Sequence, residues 1–242
     1  MGKLENQIAL IAGASSGIGK AIAISLAAEG ASVVLAARRE KELNSVAIQI
    51  NNSGGHALSV PTDLTVEIQV ISLFQLIQQT YSRLDILINS IGSFGSAPIE
   101  DMPIEVWDRV INSNLKAPFL CIREAMKIMK KQRRGRIINI GSTSAKRVRP
   151  NSAAYSATKH GLWGLTQVAA LEGRSFGITC CCVHPGRVRV ERASSNPDSI
   201  NDPLISVDDI ARTVLHIATL PSDVLMLETT ILPIEQPYIG RG

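Results

Sequence analysis

Short apolar runs alternate along this chain with longer segments in which apolar residues recur at helical spacing. Such alternation, with helical stretches long enough for right-handed crossovers, is typical of parallel sheets covered by helices. The pattern therefore predicts an α/β fold, a doubly wound parallel sheet in a single domain, 1–242. Seven strands are predicted, at 8–12, 32–37, 56–60, 84–88, 137–140, 179–183 and 227–233, with helices that include 39–53, 151–176 and 207–220.

Composition agrees with one globular domain. Hydrophobic residues make up 45% of the 242 residues and charged residues only 19%, which allows a large buried core. The start, 1–7, is polar, and no stretch approaches about 18 uninterrupted apolar residues, so we expect a soluble, cytoplasmic protein without a membrane partner. The net charge of +4 permits contact with nucleic acid, but 4% aromatic residues do not provide the basic and aromatic pattern of nucleic-acid-binding proteins.

The four cysteines are Cys121 and the run 180–182. Adjacent residues of a strand point to alternate faces, so the run cannot converge on one metal ion. We expect all four cysteines to fill the core as small apolar residues, and we expect no metal site.

The densest basic run, 130–136, falls at the end of a predicted helix. Cations complement the helix dipole there, and Gly135 could adopt the left-handed cap conformation. A solvated helix end is the favoured interpretation, and a phosphate-binding patch is the alternative.

The predicted helix 151–176 carries a tyrosine and a lysine four residues apart, Tyr155 and Lys159. Their side chains leave the same helix face about one turn apart and can reach one bound molecule. A tyrosine ordinarily holds its proton too tightly to exchange it near neutral pH, and a neighbouring ammonium favours the phenolate. Lys159 would thus make Tyr155 a usable general acid and base, and Ser142, after the preceding strand, could orient the same substrate oxygen.

The first predicted strand runs directly into a glycine turn that opens a helix. Glycines let the backbone approach a pyrophosphate closely, and a helix start presents unpaired N–H groups and the positive end of its dipole. The spacing Gly-x-x-x-Gly-x-Gly predicts a dinucleotide site at Gly13, Ser15, Ser16, Gly17, Ile18 and Gly19.

The second strand ends at Ala37, Arg38 and Arg39, where dinucleotide sites for NAD carry an acidic residue that binds the adenosine ribose. No carboxylate here would repel a phosphate, and two guanidiniums could bind one together with Ser15 or Ser16. NADP(H) is therefore expected over NAD(H). The alternative is that both arginines are solvated residues that open the next helix.

Together these motifs resemble the short-chain dehydrogenase/reductase family over nearly the whole chain. The family's serine, followed thirteen residues later by Tyr-x-x-x-Lys, is matched by Ser142, Tyr155 and Lys159, and its glycine turn by 13–19. Within the family, the chain is similar to 3-oxoacyl-[acyl-carrier-protein] reductases. The resemblance implies a homodimer or homotetramer whose substrate is a small carbonyl or alcohol compound.

The resemblance also implies roles for single residues. Arg38, the first basic residue after its strand, would face the 2'-phosphate, and Asn114 would hold a water that links Lys159 to bulk solvent. Thr65 is expected to cap the next helix and leave Asp63 for the adenine, although a capping role for Asp63 and a structural role for Asn114 stay open. Cofactor contacts are implied for Asp63, Leu64, Asn89, Ser90, Gly92, Tyr155, Lys159, Pro185, Gly186 and Val188.

Some positions depart from the family's pattern. They are Ala12 in place of Thr, Ser90 and Ile91 in place of Asn and Ala, and Val190 in place of a Thr that would bond the cofactor. The Asp-Gly-Gly turn after the last strand is also missing, and the tail, 234–242, is expected to be flexible or bound to a partner.

Two loops that border the substrate in the family are rich in cations here. They carry Lys146, Arg147 and Arg149 in one loop and Arg187, Arg189 and Arg192 in the other. Such a field would favour an anionic or carrier-bound substrate, with an ordinary hydrophilic surface as the alternative. The substrate loop is expected at 187–206, and its polar part, 193–203, is expected to be a mobile lid.

The sequence thus predicts an NADP(H)-dependent oxidoreductase that transfers hydride between nicotinamide and a carbonyl or alcohol substrate. Its catalytic residues would be Asn114, Ser142, Tyr155 and Lys159. The alternatives are a catalytically silent NADP(H)-binding regulatory or scaffold protein on the same fold, and a nucleic-acid-binding protein. Within the enzyme interpretation, a 3-oxoacyl thioester reductase and a general ketone or alcohol enzyme both stay open.

Overall fold

The computed structural model of the protein describes residues 2–189 and 203–238. Within these ranges seven parallel strands form one sheet, in the order β3-β2-β1-β4-β5-β6-β7. They are β1 (Ile8–Ala12), β2 (Ser32–Ala37), β3 (His56–Pro61), β4 (Ile86–Asn89), β5 (Gly135–Ile140), β6 (Ile178–Pro185) and β7 (Glu228–Ile231). The predicted doubly wound sheet is confirmed, and the strand limits lie within two residues of the predicted ones.

Helices cover both faces of this sheet. They are α1 (Gly17–Ala28), α2 (Glu40–Asn52), α3 (Glu67–Tyr81), α4 (Ile104–Ile111), α5 (Ala117–Gln132), α6 (Ala153–Gly173) and α7 (Val207–Ala218). One core lies between the sheet and α1, α2 and α7, and the other lies between the sheet and α3, α5 and α6. Because both faces are covered, strands such as β1 are continuous apolar runs, with Leu10 in one core and Ile11 in the other.

The position of β1 in the sheet determines where a ligand can bind. β1 lies between β2 and β4, so the chain leaves it toward β2 on one side and later returns to β4 on the other. The connections after β1 and β4 therefore diverge, and a crevice opens at the carboxyl ends of these strands.

The cysteines fill the core as predicted. Cys121, Cys180, Cys181 and Cys182 are all buried and unpaired. Cys180 faces one core and its neighbour Cys181 faces the other. Burial raises the pKa of Cys121 and of Cys181 to about 12, so both remain protonated thiols near neutral pH.

The predicted cap at Gly135 is wrong. α5 ends at Gln132, and Arg133 adopts the left-handed conformation with φ of +55°, while Gly135 is the first residue of β5. A Cβ at Gly135 would lie 2.3 Å from the sulfur of Met129, so close packing, and not the helix end, requires glycine here.

A buried arginine joins β5 to the loop before β7. The Arg136 guanidinium donates hydrogen bonds of 2.9 Å to the carbonyl oxygens of Leu220 and of Pro221. Burial lowers the pKa of Arg136, so its charge depends on these carbonyls for compensation. The loop after α7 is thus tied to the sheet.

Arg136→Met should lower the free energy of unfolding by about 2 kcal/mol, because hydrogen bonds from a charged donor contribute about 1.5–3 kcal/mol and two carbonyls would lose their donor. Urea unfolding measures the change, with the exposed neighbour Arg134→Met as the control, for which we expect a change within about 0.5 kcal/mol. Equal urea midpoints of unfolding for the two variants would show that the buried guanidinium contributes nothing to stability.

Several expectations fall outside the described ranges. Val190, Arg192 and nearly all of the predicted lid, 193–203, lie there, as do the last four residues of the tail, 239–242. Among the helices that the structure describes, none combines the length and the apolar character needed to cross a membrane. Residues 2–189 and 203–238 also contain no group of three His, Cys, Asp or Glu side chains that could hold a metal ion.

Candidate active site

The glycine turn after β1 is built from contacts that exclude side chains. Gly13 has φ of +95°, and a Cβ there would lie 2.6 Å from the carbonyl oxygen of Ser90. A Cβ at Gly19 would lie 2.2 Å from the carbonyl oxygen of Gly13. The turn is therefore packed against the end of β4, at the crevice between β1 and β4.

The start of α1 lies open at this turn. Ser16 is its N-cap residue, but the Ser16 side chain makes no capping hydrogen bond. Instead, the hydroxyl oxygens of Ser15 and Ser16 accept hydrogen bonds of 2.9 and 2.6 Å from Nη2 of Arg39. Because each hydroxyl accepts from Arg39, its own hydrogen remains available to an anion at the helix start.

The two arginines after β2 differ in their surroundings. Arg39 reaches the glycine turn, and its guanidinium also pairs with Glu42 at 3.2 Å, whereas Arg38 is exposed. The sequence favoured Arg38 as the phosphate ligand, but the structure brings Arg39 to Ser15 and Ser16. Helix propensity could not distinguish two adjacent arginines, because the distinction arises from a contact with a loop more than 20 residues earlier.

The carboxylate of Asp63, which follows β3, forms hydrogen bonds within a local turn. Its Oδ1 accepts hydrogen bonds from the amide of Thr65 at 3.0 Å and from the hydroxyl of Thr65 at 2.7 Å. Burial would raise the pKa of Asp63, but these bonds and the charge of Arg38 outweigh burial and lower it. The predicted cap at Thr65 is wrong, because its hydroxyl binds Asp63 and the N-cap residue of α3 is Val66. Leu64 is buried in the core beside α3.

The end of β4 is braced from the next strand. Nδ2 of Asn89 donates to Oδ1 of Asn139 at 2.8 Å, and Asn139 in turn donates to the hydroxyl of Thr166 at 2.9 Å. Ser90 donates its amide to Ala12 at the end of β1. These bonds hold β4, β5 and α6 together beneath the crevice.

Gly92 faces open space beyond this strand. The nearest atom to a Cβ added there would be Oδ1 of Asn114, at 4.0 Å. A side chain at this position would therefore project into the crevice instead of into the protein. The absence of a side chain keeps the crevice open beside the glycine turn.

Asn114 lies on a π-helical turn, Asn112–Lys116, that joins α4 to α5. The Asn114 side chain is fully buried, accepts from the amide of Ser93 at 2.7 Å and donates to the carbonyl of Ser93 at 2.9 Å. It also lies 3.3 Å from the hydroxyl of Thr158, which donates to the carbonyl of Tyr155. One amide thus joins the loop after β4 to the start of α6.

Asn114→Leu should lower the free energy of unfolding by about 2 kcal/mol even without ligand, because the partly buried amide and carbonyl of Ser93 would lose their partners. Ser113→Ala is the matched control, since the Ser113 hydroxyl donates to the carbonyl of Arg109 within the helix, at an exposed site. Thermal unfolding of both variants measures the effect. A melting temperature for Asn114→Leu equal to that of the control would contradict the structural role.

The tyrosine and the lysine predicted as catalytic lie together in the first turns of α6. Tyr155 and Lys159 are both buried, and Nζ of Lys159 lies 5.6 Å from the centroid of the Tyr155 ring. Nζ also donates to the carbonyl of Ile140 at 2.9 Å, at the end of β5. The ring of Phe94 stacks on the ring of Tyr155, with the two centroids 4.6 Å apart. The Tyr155 ring therefore has both the ammonium of Lys159 and the ring of Phe94 as close neighbours.

Ser142 follows β5 and begins a short 3₁₀ turn, Thr143–Ala145, that packs against α6. Its hydroxyl oxygen accepts a hydrogen bond of 3.1 Å from the amide of Ser144. The hydroxyl hydrogen is thus available to a substrate oxygen.

Comparison with known proteins identifies the family of this chain. A family model described as short chain dehydrogenase matches residues 7–200. The chain belongs to the short-chain dehydrogenase family. It is an oxidoreductase of that family, as its relatives are named.

Two relatives illustrate the similarity. This short-chain dehydrogenase is 38% identical over 232 residues to an uncharacterized oxidoreductase of Staphylococcus aureus strain MW2, over 96% of this chain and 99% of that protein. It is 42% identical over 185 residues to the uncharacterized oxidoreductase YxjF of Bacillus subtilis strain 168, over 76% of this chain and 72% of that protein.

Two crystal structures share the fold. A metagenomic short-chain oxidoreductase in complex with NADP is 34% identical, with a TM-score of 0.86 over 97% of this chain and 100% of that chain. An actinorhodin polyketide ketoreductase variant with NADPH is 27% identical, with a TM-score of 0.88 over 96% of this chain and 98% of that chain.

His184 is a neighbour of Ser142 that the sequence did not single out. The side chain is fully buried, and Nδ1 lies 2.9 Å from the carbonyl oxygen of Ser142. Burial lowers the pKa of His184, although the bond to Ser142 and the charge of Glu228, 3.6 Å from Nε2, act in the opposite direction. A neutral imidazole thus holds the backbone of Ser142. In the sequence, the feature that could have drawn attention to His184 is its place directly before Pro185.

Two cations of the loop between Ser142 and Tyr155 contact other side chains of this short-chain dehydrogenase. Nζ of Lys146 lies 3.1 Å from Oε1 of Glu228 and 4.5 Å from the centroid of the Trp163 ring. Arg147 lies over the ring of Tyr238, at 5.8 Å. Lys146 and Arg147 therefore each contact other side chains of the protein, and recognition of an anionic substrate stays a prediction.

The segment after β6 is held by backbone pairing. The amide of Gly186, which follows Pro185, donates to Ile231 of β7 at 2.7 Å. Val188 forms a bridge with Ile205 that uses the carbonyl of Arg187 and the amide of Arg189. In a bridge of this kind Val188 contributes neither hydrogen bond, so its backbone remains compatible with the predicted cofactor contact.

Proposed function

We propose that this short-chain dehydrogenase interconverts carbonyl and alcohol groups with NADP(H), and that Tyr155 is its general acid and base. The observation that carries the proposal is the position of Lys159, whose ammonium is held by the carbonyl of Ile140 beside the Tyr155 ring. The glycine turn and Gly92 border the same crevice.

The residues present fit a dinucleotide. The uncapped start of α1 offers N–H groups to a pyrophosphate, and the open space at Gly92 allows a ribose to pass close to the backbone. Arg39, Ser15 and Ser16 supply converging donors for a 2'-phosphate. The two similar crystal structures contain NADP and NADPH, which supports the same cofactor here.

Nicotinamide supplies the hydride when it is bound. In the direction of reduction, Tyr155 gives its hydroxyl proton to the substrate oxygen as that oxygen gains negative charge, and in oxidation it takes the proton back. Ser142 donates its free hydroxyl hydrogen to the same oxygen and orients it. Lys159 uses one N–H for Ile140, which leaves two for the ribose and for stabilisation of the phenolate.

Asn114 helps to hold the residues of this arrangement in place. It fixes the backbone of Ser93 beside Gly92, and through Thr158 it contacts the helix turn that carries Tyr155. The proton relay that the family resemblance implies for Asn114 belongs to the same proposal.

A homodimer or homotetramer is part of the proposal as well. Phe119 of α5 and Leu171 and Val168 of α6 are apolar and between 45% and 63% exposed, and the two helices pack side by side. A second copy could cover these residues. Light scattering of the protein and of Leu171→Glu would test this assembly.

Titration with NADPH and with NADH, followed by nicotinamide fluorescence, tests the cofactor. We expect NADPH to bind more tightly. Turnover of a panel of ketones, aldehydes and 3-oxoacyl thioesters, followed by the absorbance of NADPH, then tests the reaction. Failure to bind either nucleotide would refute the proposal, and binding without turnover of any carbonyl would favour the silent scaffold alternative.

A further inference from the structure

The tail of the chain contacts the proposed active site. The sequence predicted a flexible or partner-bound segment at 234–242, but its first residues fold back on the protein. The chain turns after β7, where the amide of Gln236 donates to the carbonyl of Pro233 at 2.9 Å. This turn directs the Gln236 side chain toward the end of β6. In the described part, 234–238, the tail thus contacts the body of the protein, and its expected flexibility or binding to a partner stays a prediction.

Gln236 packs against the turn that follows Pro185. Its Oε1 accepts a hydrogen bond of 2.8 Å from the amide of Arg187. A Cβ on Gly186 would lie 2.3 Å from the same Oε1. Gly186 thus leaves the space through which the glutamine reaches the backbone.

Two consecutive backbone amides after β6 donate hydrogen bonds to residues of β7 and of the tail. The amide of Gly186 donates to Ile231 and the amide of Arg187 donates to Gln236, while the carbonyl of Arg187 accepts from Ile205. The peptide groups on both sides of Arg187 are therefore fixed in direction. Without Gln236, the amide of Arg187 would lose its partner, and the turn would keep the amide bond of Gly186 to Ile231 of β7.

The tail continues toward the opposite loop of the cleft. The Tyr238 ring, two residues beyond Gln236, lies beneath the guanidinium of Arg147, which belongs to the loop between Ser142 and Tyr155. Residues 236–238 thus bridge the two loops that border the predicted substrate site.

We propose that Gln236 is a positioning residue that holds the turn 185–188 in the shape that makes the predicted cofactor contacts. The role rests on the proposed function, because it assigns a purpose to the predicted contacts at Pro185, Gly186 and Val188. Gln236 acts through the backbone and touches no reacting atom.

Gln236→Met and Gln236→Glu separate this role from simple packing. Methionine has a similar length but offers no strong acceptor, whereas glutamate keeps an oxygen for the amide of Arg187. Loss of one such bond should weaken NADPH binding about 2- to 10-fold in Gln236→Met, with nearly normal binding in Gln236→Glu. Glu235→Gln, at an exposed neighbouring position, is the matched control.

Hydrogen exchange of the ligand-free protein provides a readout that does not need the cofactor. Exchange of the Arg187 amide should accelerate in Gln236→Met and stay slow in Gln236→Glu, while amides of β1 remain unchanged in both. Unchanged exchange in Gln236→Met, or equal loss of NADPH affinity in both variants, would overturn the positioning role. If the unmodified protein bound no nucleotide, the proposed function would fail first and this role with it.

Discussion

Tyr155→Phe is expected to lower kcat about 10²- to 10⁴-fold, the usual contribution of a positioned general acid and base. The change removes one oxygen and keeps the ring, so the stacking of Phe94 and the proximity of Lys159 persist. NADPH affinity should therefore remain within a few-fold of normal. Steady-state turnover of the best carbonyl substrate, beside a fluorescence titration with NADPH, measures both quantities.

Tyr81→Phe is the control for Tyr155. Tyr81 is partly buried at the end of α3, and burial raises the pKa of its hydroxyl. Tyr81→Phe therefore also removes a protonated phenol hydroxyl, but away from the proposed site. We expect its kcat to be unchanged. A kcat of Tyr155→Phe within about threefold of normal would remove Tyr155 from the chemistry and would leave the proposed mechanism without its proton donor.

Arg39→Ala is expected to weaken NADPH binding about 10- to 100-fold, since hydrogen bonds from a charged donor contribute about 1.5–3 kcal/mol. NADH lacks the phosphate, so its affinity should change little and the preference between the two nucleotides should be lost. The same titrations on Arg38→Ala should show a smaller loss, because Arg38 is exposed and Arg39 already reaches Ser15 and Ser16.

Arg39→Lys provides a matched control. It keeps the charge but loses the fork of donors that can bind a serine hydroxyl and a phosphate together, so intermediate affinity is expected. A larger loss in Arg38→Ala than in Arg39→Ala would restore the assignment that the sequence favoured. Equal affinity of the unmodified protein for NADPH and NADH would refute phosphate recognition altogether.

Local patterns in the sequence were sufficient for much of the fold. The strands and the helices were predictable because apolar spacing within a few residues decides which face of an element is buried. The glycine turn at Gly13 and Gly19 was predictable because side chains would collide with the backbone there. The pair Tyr155 and Lys159 lie close together because helix geometry alone brings residues four apart to one face.

Local rules were also the source of the errors. Gly135 looked like a helix cap because glycine favours that conformation, but its small size is required by Met129. Thr65 looked like a helix cap because its hydroxyl suits that role, but the hydroxyl binds Asp63. In each case a contact decided the outcome, and propensity did not.

The sequence by itself thus determined the sheet, the glycine turn and the spacing of the proposed catalytic pair. Only the tertiary structure decided that Arg39 and not Arg38 reaches the glycine turn, that His184 holds Ser142, and that Gln236 anchors Arg187. The last two pairs are separated by 42 and 49 residues along the chain. Such contacts depend on how strands from distant parts of the chain are ordered in one sheet, and spacing along the sequence carries no record of that order.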